Sequence, residues 1–118
     1  MNAWADFRVG RLRVTAGIAA DALVNKSVTL GQLGRAEEAL AVSEDVLARF
    51  DDADEPALRV AVAQALLNKG GKLGQLGRSA EALAVYDQLL ARFGDADEPA
   101  LREAVLRASR AREGQDHK

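Results

Sequence analysis

The side chains that could carry out chemistry are few and far apart in this sequence. His117 is the single histidine, cysteine is absent, and neighbouring carboxylates are concentrated in two short acidic segments, residues 51–55 and 94–98. A metal site or a nucleophile with its base needs several such groups at defined spacing. We therefore expect a protein that is not an enzyme, with no catalytic residues, no metal and no cofactor. The acidic segments are interpreted as solvated turns.

A run of glycines at Gly70, Gly71, Gly74 and Gly77 invites comparison with phosphate-binding loops. It fits neither the G-x-G-x-x-G pattern after a strand nor the G-x-x-x-x-G-K-[ST] pattern, and it falls within a predicted helix. We expect no nucleotide site. Gly70 instead indicates close helix packing and Gly77 the end of a helix, while Gly71 is a weak point that could act as a hinge.

The elements that must position any binding residues are repeated along the chain. When residues 22–62 are aligned with residues 65–105, a shift of 43, 29 of the 41 positions are identical. A period of this size is typical of solenoids, in which each helical unit buries its apolar face against the next unit. The sequence therefore predicts a core built by translation of one unit.

Within each unit the apolar residues recur with helical spacing. Ala82, Tyr86, Leu89 and Phe93 form one stripe with Leu83 and Leu90 beside it, and charged residues occupy the other side. Alternation of β-branched residues is nearly absent, which excludes strands. The predicted helices span roughly residues 4–32, 36–50, 55–75, 79–93 and 97–113.

Helix-boundary signals divide these helices into antiparallel pairs. Asp54, Glu55 and Pro56 suit the start of the third helix, because the first amides of a helix lack internal partners and proline has no amide hydrogen. We expect one domain, residues 1–118. Its parts are a first repeat at about 13–53, a second at about 54–96, a polar capping helix at 97–113 and a tail at 114–118.

The residues from Asn68 to Tyr86, NKGGKLGQLGRSAEALAVY, resemble the tetratricopeptide repeat. The pattern of that family has a small residue within the first helix, a glycine at the hairpin, an alanine early in the second helix and an aromatic four residues later. In the second unit these places hold Gly70, Gly77, Ala82 and Tyr86. In the first unit they hold Ser27, Gly34, Ala39 and Ser43.

The resemblance implies an all-α fold of about two tetratricopeptide-like helical hairpins in an α-α superhelix, followed by the capping helix. The period of 43 residues exceeds the usual length of about 34, so we expect longer helices than the family normally has. The resemblance also implies that the first helix of each pair lines a concave, peptide-binding surface. The partner-binding residues implied in this way are Val24, Asn25, Val28, Gln32, Leu67, Asn68, Lys72 and Gln75. A bond between neighbouring helices is the alternative role for the two asparagines.

Composition narrows the choice of partner. A net charge of −2 disfavours sequence-independent nucleic-acid binding, and the apolar runs are too short to span a bilayer. We expect a protein or peptide partner, no nucleic acid, no membrane and a cytoplasmic location. An RNA-binding module similar to pentatricopeptide repeats is a less favoured reading.

A second hypothesis is self-association. Two units are fewer than the roughly three that a stable stack needs, so a homodimer formed by exchange of helix pairs would supply the missing neighbour. Trp4 and Phe7 precede the repeat, and they are expected either to cover the first helix pair or to contact another chain.

Overall fold

A computed structural model describes the backbone of residues 3–116 and the side chains of residues 14–115. Over this range the chain is all-α, without a strand. The boundaries agree with the sequence-based prediction to within a few residues, except that the last helix continues through three residues of the expected tail. The five helices are α1 (Ala3–Gln32), α2 (Ala36–Phe50), α3 (Pro56–Gln75), α4 (Ser79–Phe93) and α5 (Pro99–Asp116).

The connections within the two hairpins have matching geometry. Gly34 and Gly77 both have a φ of +76°, a left-handed conformation that glycine adopts without a steric penalty. Pro56 occupies the first turn of α3 as predicted, but the side chain of the preceding Glu55 makes no capping hydrogen bond. The start of α3 therefore depends on the fixed φ of proline and not on an acidic cap.

Matching ion pairs mark the starts of α2 and α4. Arg35 donates to the carboxylate of Glu38 at 2.6 and 2.8 Å, and Arg78 donates to that of Glu81 at 2.7 and 3.0 Å. The hydrogen bond from Arg78 lowers the pKa of Glu81, and the same bond raises the pKa of Arg78. Both pairs lie in solvent, so they fix local geometry more than they stabilise the fold.

The helices form two layers. Ser27 of α1 bonds to residues of α2 that follow it by 12 and 16 positions, as expected for antiparallel neighbours. Gly17 of α1 faces Ala57 of α3, and Gly31 faces Lys72, so these two helices run parallel. Among the described residues the backbones of α1 and α3 and those of α3 and α5 lie side by side, while the backbones of α2 and α4 stay apart. The two second helices thus pack on one side of a layer of three.

The larger buried cluster joins residues of α3, α4 and α5 with Leu40 of α2. It contains the predicted stripe Ala82, Tyr86, Leu89 and Phe93, each at most 3% exposed. Leu83 is half-buried at the margin of this stripe. The inward residues of α5 are also buried, namely Leu101, Ala104 and Ala108. A smaller cluster, built from Ala20, Leu58 and Ala61, joins α1 to α3.

The paired glycines of α3 lie within an unbroken helix. A Cβ on Gly70 would meet the ring of Tyr86 at 2.5 Å, whereas a Cβ on Gly71 would meet nothing within 4 Å. The prediction of close packing at Gly70 is confirmed. Gly71 has no packing requirement, and exchange of helix pairs about this point stays a prediction.

Candidate functional site

One face of α1 and α3 points away from α2 and α4, and we call it the open face. On α1 the residues turned toward α2 or α3, such as Ala20, Ser27 and Leu30, are buried. A helical period of 3.6 residues places the opposite stripe on solvent. The open face consists of Val14, Ile18, Asp21, Asn25, Val28 and Gln32 on α1, and Gln64, Asn68, Gly71 and Gln75 on α3.

The amino-terminal half of the open face is apolar. Val14 and Ile18 are 64% and 65% exposed, although both are large hydrophobic residues. Beside them a groove of about 330 Å³ runs between α1 and the start of α3. Its walls are Val14, Gly17, Ile18, Asp21, Glu55, Pro56, Ala57 and Leu58. A groove of this kind can accept an apolar side chain of a partner.

The two predicted asparagines lie in the middle of the open face. Asn25 is exposed, and Asn68 is half-buried. The Nδ2 atom of Asn68 is buried and has no hydrogen-bond partner, so the predicted alternative, a bond between helices, does not form at that atom. An unsatisfied buried donor is costly, and rotation of the Asn68 amide outward onto an acceptor of a partner would recover this cost.

Val28, Gln32 and Gln75 complete the part of the predicted set that lies on the open face. Val28 is 40% exposed, and both glutamines are exposed. Together with the two asparagines, the two glutamines give the predicted set four amide side chains on adjacent parallel helices. Side-chain amides both donate and accept hydrogen bonds, as a peptide main chain does.

Val24 and Leu67 pack inward. Val24 lies against the small cluster of Ala20, Leu58 and Ala61, and Leu67 lies against the larger cluster. Both are half-buried, so their main contacts are with neighbouring helices and only part of each side chain is accessible.

Lys72 crosses from α3 to α1. Its Nζ atom would lie 2.5 Å from a Cβ on Gly31, and it donates to Oε1 of Gln75 at 3.4 Å. Gly31 is in the last turn of α1, which carries no basic residue of its own, so Lys72 places its charge near the negative end of that helix dipole. Lys69, in contrast, faces α2, where it pairs with Glu44 at 4.0 Å.

The same contact recurs one unit later, where the side chain of Gln115 lies over Gly74. Gln115 and Lys72 are 43 positions apart, as are Gly74 and Gly31. The Oε1 atom of Gln115 is buried and unpartnered. Glycine at these two places thus admits a long polar side chain from the next helix.

Sequence reasoning missed Val14, Ile18 and Asp21, which extend the predicted stripe toward the amino terminus. Their spacing from Asn25 was sufficient to find them, because residues 14, 18, 21 and 25 share one face of a helix. What concealed them is that their counterparts in the second unit are Ala57, Ala61 and Gln64, so the apolar character is not repeated.

The described residues contain no group of three side chains that could hold a metal ion. Of the helices in that range, none is long and apolar enough to cross a membrane. No family model, curated protein or solved structure matches the chain. The candidate site therefore rests on its own geometry.

Proposed function

We propose that the protein is a non-catalytic interaction module that binds a peptide or protein segment on the open face. In this proposal the fold is a short tetratricopeptide-like superhelix and the open face is its concave surface. The matching hairpins at Gly34 and Gly77 and the parallel course of α1, α3 and α5 support this interpretation.

The observation that carries the proposal is the exposure of Val14, Ile18 and Val28 along one stripe. Large apolar side chains in water are unfavourable by roughly 1.5 to 3 kcal/mol relative to burial, and contiguous exposed ones mark interaction sites. On the same stripe the amides of Asn25 and Asn68 can bind the main chain of a partner. Apolar anchoring and main-chain recognition together suit an extended segment.

Selection from a phage-displayed library of short random peptides tests this function. The strongest selected peptide is synthesised, and its affinity is measured by fluorescence anisotropy for wild type, Ile18→Asp and Asn68→Ala. We expect Ile18→Asp to weaken binding at least about tenfold, because it places a carboxylate at an apolar contact. Asn68→Ala should weaken binding by about fivefold, the effect of one hydrogen bond.

Leu33→Asp is the matched control. Leu33 is as exposed as Ile18, at 65%, but it lies beyond the end of α1 and outside the open face. Its replacement should leave the affinity unchanged. A library that yields no binder, or a loss of affinity as large for Leu33→Asp as for Ile18→Asp, would contradict the proposal.

We expect RNA not to bind. Asp21 lies on the open face of α1, and Lys72 is directed at the carboxyl end of that helix, so the described side chains of the open face form no basic stripe. Phosphate recognition depends on such stripes. A mobility shift with single-stranded RNA at low salt would favour the pentatricopeptide-like reading instead.

A further inference from the structure

Phe93 ends α4 in a closed pocket. It is 1% exposed and shares the larger cluster with Val62 and Ala63. The guanidinium groups of Arg59 and Arg92 lie 5.7 and 5.3 Å from its ring centre. Arg92 also bonds to Asp51, at the beginning of the turn before α3. We call Arg59, Val62 and Ala63, together with the Asp51 that holds Arg92, the Phe93 pocket.

The repeat places the same pocket a second time, without an aromatic ring in it. Adding 43 to each residue of the Phe93 pocket gives Gly94, Arg102, Val105 and Leu106. These four residues, with Ala96, line a cavity of about 160 Å³ at the corner between α4 and α5, the α5 pocket. A cavity of about 150 Å³ can hold a benzene ring. Leu106 is 58% exposed at its mouth.

The chain contains three phenylalanines, and two are packed inside the fold. Phe93 fills the pocket just described, and Phe50 packs against both buried clusters. The third, Phe7, belongs to the segment Trp-Ala-Asp-Phe at residues 4–7. This segment has the spacing of Leu-Ala-Arg-Phe at the ends of α2 and α4.

The backbone of α1 carries that segment away from the rest of the fold. Gly17 faces Ala57 near the start of α3, so the helix from Ala3 onward continues past this contact for about 20 Å. We propose that this end of α1 docks into the α5 pocket of a second copy, with Phe7 occupying the place that Phe93 occupies in the Phe93 pocket.

The charged residues that differ between the Phe93 pocket and the α5 pocket are consistent with this docking. In the Phe93 pocket the incoming helix brings Arg92 to Asp51, while Arg59 pairs with Glu98 at 3.3 Å. In the α5 pocket Gly94 stands in place of Asp51, and the incoming segment brings Asp6 in place of Arg92. Arg102 remains at the pocket, exposed and with no carboxylate partner among the described residues. Asp6 supplies that partner.

Only one turn of helix docks, because the remainder of the outer face of α5 is polar. Ser109 and Glu113 stand where α3 has Leu66 and Gly70. The contact joins unlike surfaces, so it forms head-to-tail chains and not a closed symmetric pair. One aromatic anchor is small beside the interfaces of stable complexes. The association is therefore weak and depends on protein concentration.

Sedimentation velocity over a wide range of concentrations measures this association. For the wild type the average mass should rise steadily with concentration. Phe7→Ala and Leu106→Glu should each weaken association at least about tenfold, as expected for loss of an aromatic anchor or its pocket. Far-UV circular dichroism of each variant verifies its fold.

Mixing the two variants distinguishes the head-to-tail contact from any other. The Phe7→Ala protein keeps an intact α5 pocket, and the Leu106→Glu protein keeps an intact Phe7. An equimolar mixture should therefore form a 1:1 heterodimer that grows no further. Failure of the mixture to associate, when the wild type does, overturns the proposal.

Ile18→Asp serves as the control on the open face, and it should self-associate like the wild type. Conversely, Leu106→Glu should bind the selected peptide like the wild type, so that this inference and the proposed function can fail separately. A wild type that stays monomeric at every concentration overturns the inference. Equal weakening by Ile18→Asp overturns it as well, because the contact would then lie on the open face.

Discussion

The two helical hairpins fill one equivalent position in two different ways. In the first, Ser27 donates to the carbonyl oxygen of Ala39 at 2.9 Å and its Oγ lies 2.7 Å from that of Ser43. In the second, Gly70 and Tyr86 take the places of the two serines, and the tyrosine ring occupies the space of the missing side chain. The same gap is closed once by hydrogen bonds and once by an aromatic ring against backbone.

Because of this difference, the two hairpins should contribute unequally to the stability of the fold. The ring of Tyr86 belongs to the larger buried cluster, to which α3, α4 and α5 contribute most of the residues and α2 contributes Leu40. In the first hairpin, α1 joins α3 through the smaller cluster and leaves Val14 and Ile18 on solvent. We infer that the second hairpin contributes most of the stability, while the first presents the apolar part of the open face.

Tyr86→Ser should lower the free energy of unfolding more than any other substitution considered for the two hairpins. It gives the second hairpin the serine of the first without its partner, and it leaves a cavity opposite Gly70. Truncation of a large buried aromatic costs about 3 to 5 kcal/mol. Ser43→Ala, the matched change in the first hairpin, should cost about 1 kcal/mol, because Ser27 keeps its bond to Ala39. Urea unfolding monitored by circular dichroism measures both.

The double variant Gly70→Ser with Tyr86→Ser recreates the serine pair in the second hairpin. It should be more stable than Tyr86→Ser alone, because a second hydroxyl fills part of the cavity and supplies a hydrogen bond. A double variant that is less stable than Tyr86→Ser would show that the two hairpins do not share one backbone arrangement at this position.

Gly70→Ala and Gly71→Ala should change the free energy of unfolding in opposite directions, although the two glycines are adjacent. An added methyl at Gly70 meets the ring of Tyr86, and overpacking costs about 1 to 3 kcal/mol. At Gly71 the methyl meets nothing, and replacing a mid-helix glycine stabilises by up to about 1 kcal/mol. Thermal unfolding measures both, and destabilisation by Gly71→Ala would contradict the unbroken helix.

The architecture could be predicted from sequence because the repeat supplies two samples of each element. The helix boundaries follow from Pro56 and from the hairpin glycines, whose backbone conformation depends little on distant residues. The buried stripe of α4 follows from its period. The contact between Gly70 and Tyr86 was harder to predict from the sequence, because it depends on which turn of α3 faces α4.

The candidate site was only partly predictable. The duplicated Asn25 and Asn68 pointed to the correct stripe, but the apolar residues beside them are not duplicated, so comparison of the units concealed them. The contact that Lys72 makes with α1 could not be predicted from the sequence either. Its contact with Gly31 depends on the sideways offset between α1 and α3, which no local pattern specifies.

Alkaline pH should destabilise the second hairpin through Tyr86. Burial raises the pKa of Tyr86, the single tyrosine, above its ordinary value. The folded state then holds the phenolic proton more tightly than the unfolded state, so its stabilising effect is complete at neutral pH and is lost as pH rises above 10. Ultraviolet absorbance of tyrosinate reports the ionisation, and Tyr86→Phe should remove this part of the pH dependence of unfolding.

Arg92→Ala and Arg49→Ala test the smallest difference between the hairpins. Arg92 connects α4 to Asp51 and lies against Phe93, whereas its counterpart Arg49 bonds to Asp45 within its own helix at 3.0 Å. We expect Arg92→Ala to cost about 1 kcal/mol, from a cation–π contact and an ion pair between units. Arg49→Ala should cost no more than about 0.5 kcal/mol, as exposed pairs within helices do.

Salt separates the two contributions to the effect of Arg92→Ala. Added salt screens the exposed part of the ion pair, so the difference between the two arginine variants should narrow without vanishing. The remainder comes from packing of the guanidinium group on the Phe93 ring, which salt affects little. If the two substitutions cost the same at low salt, the bond between Arg92 and Asp51 does not couple the units.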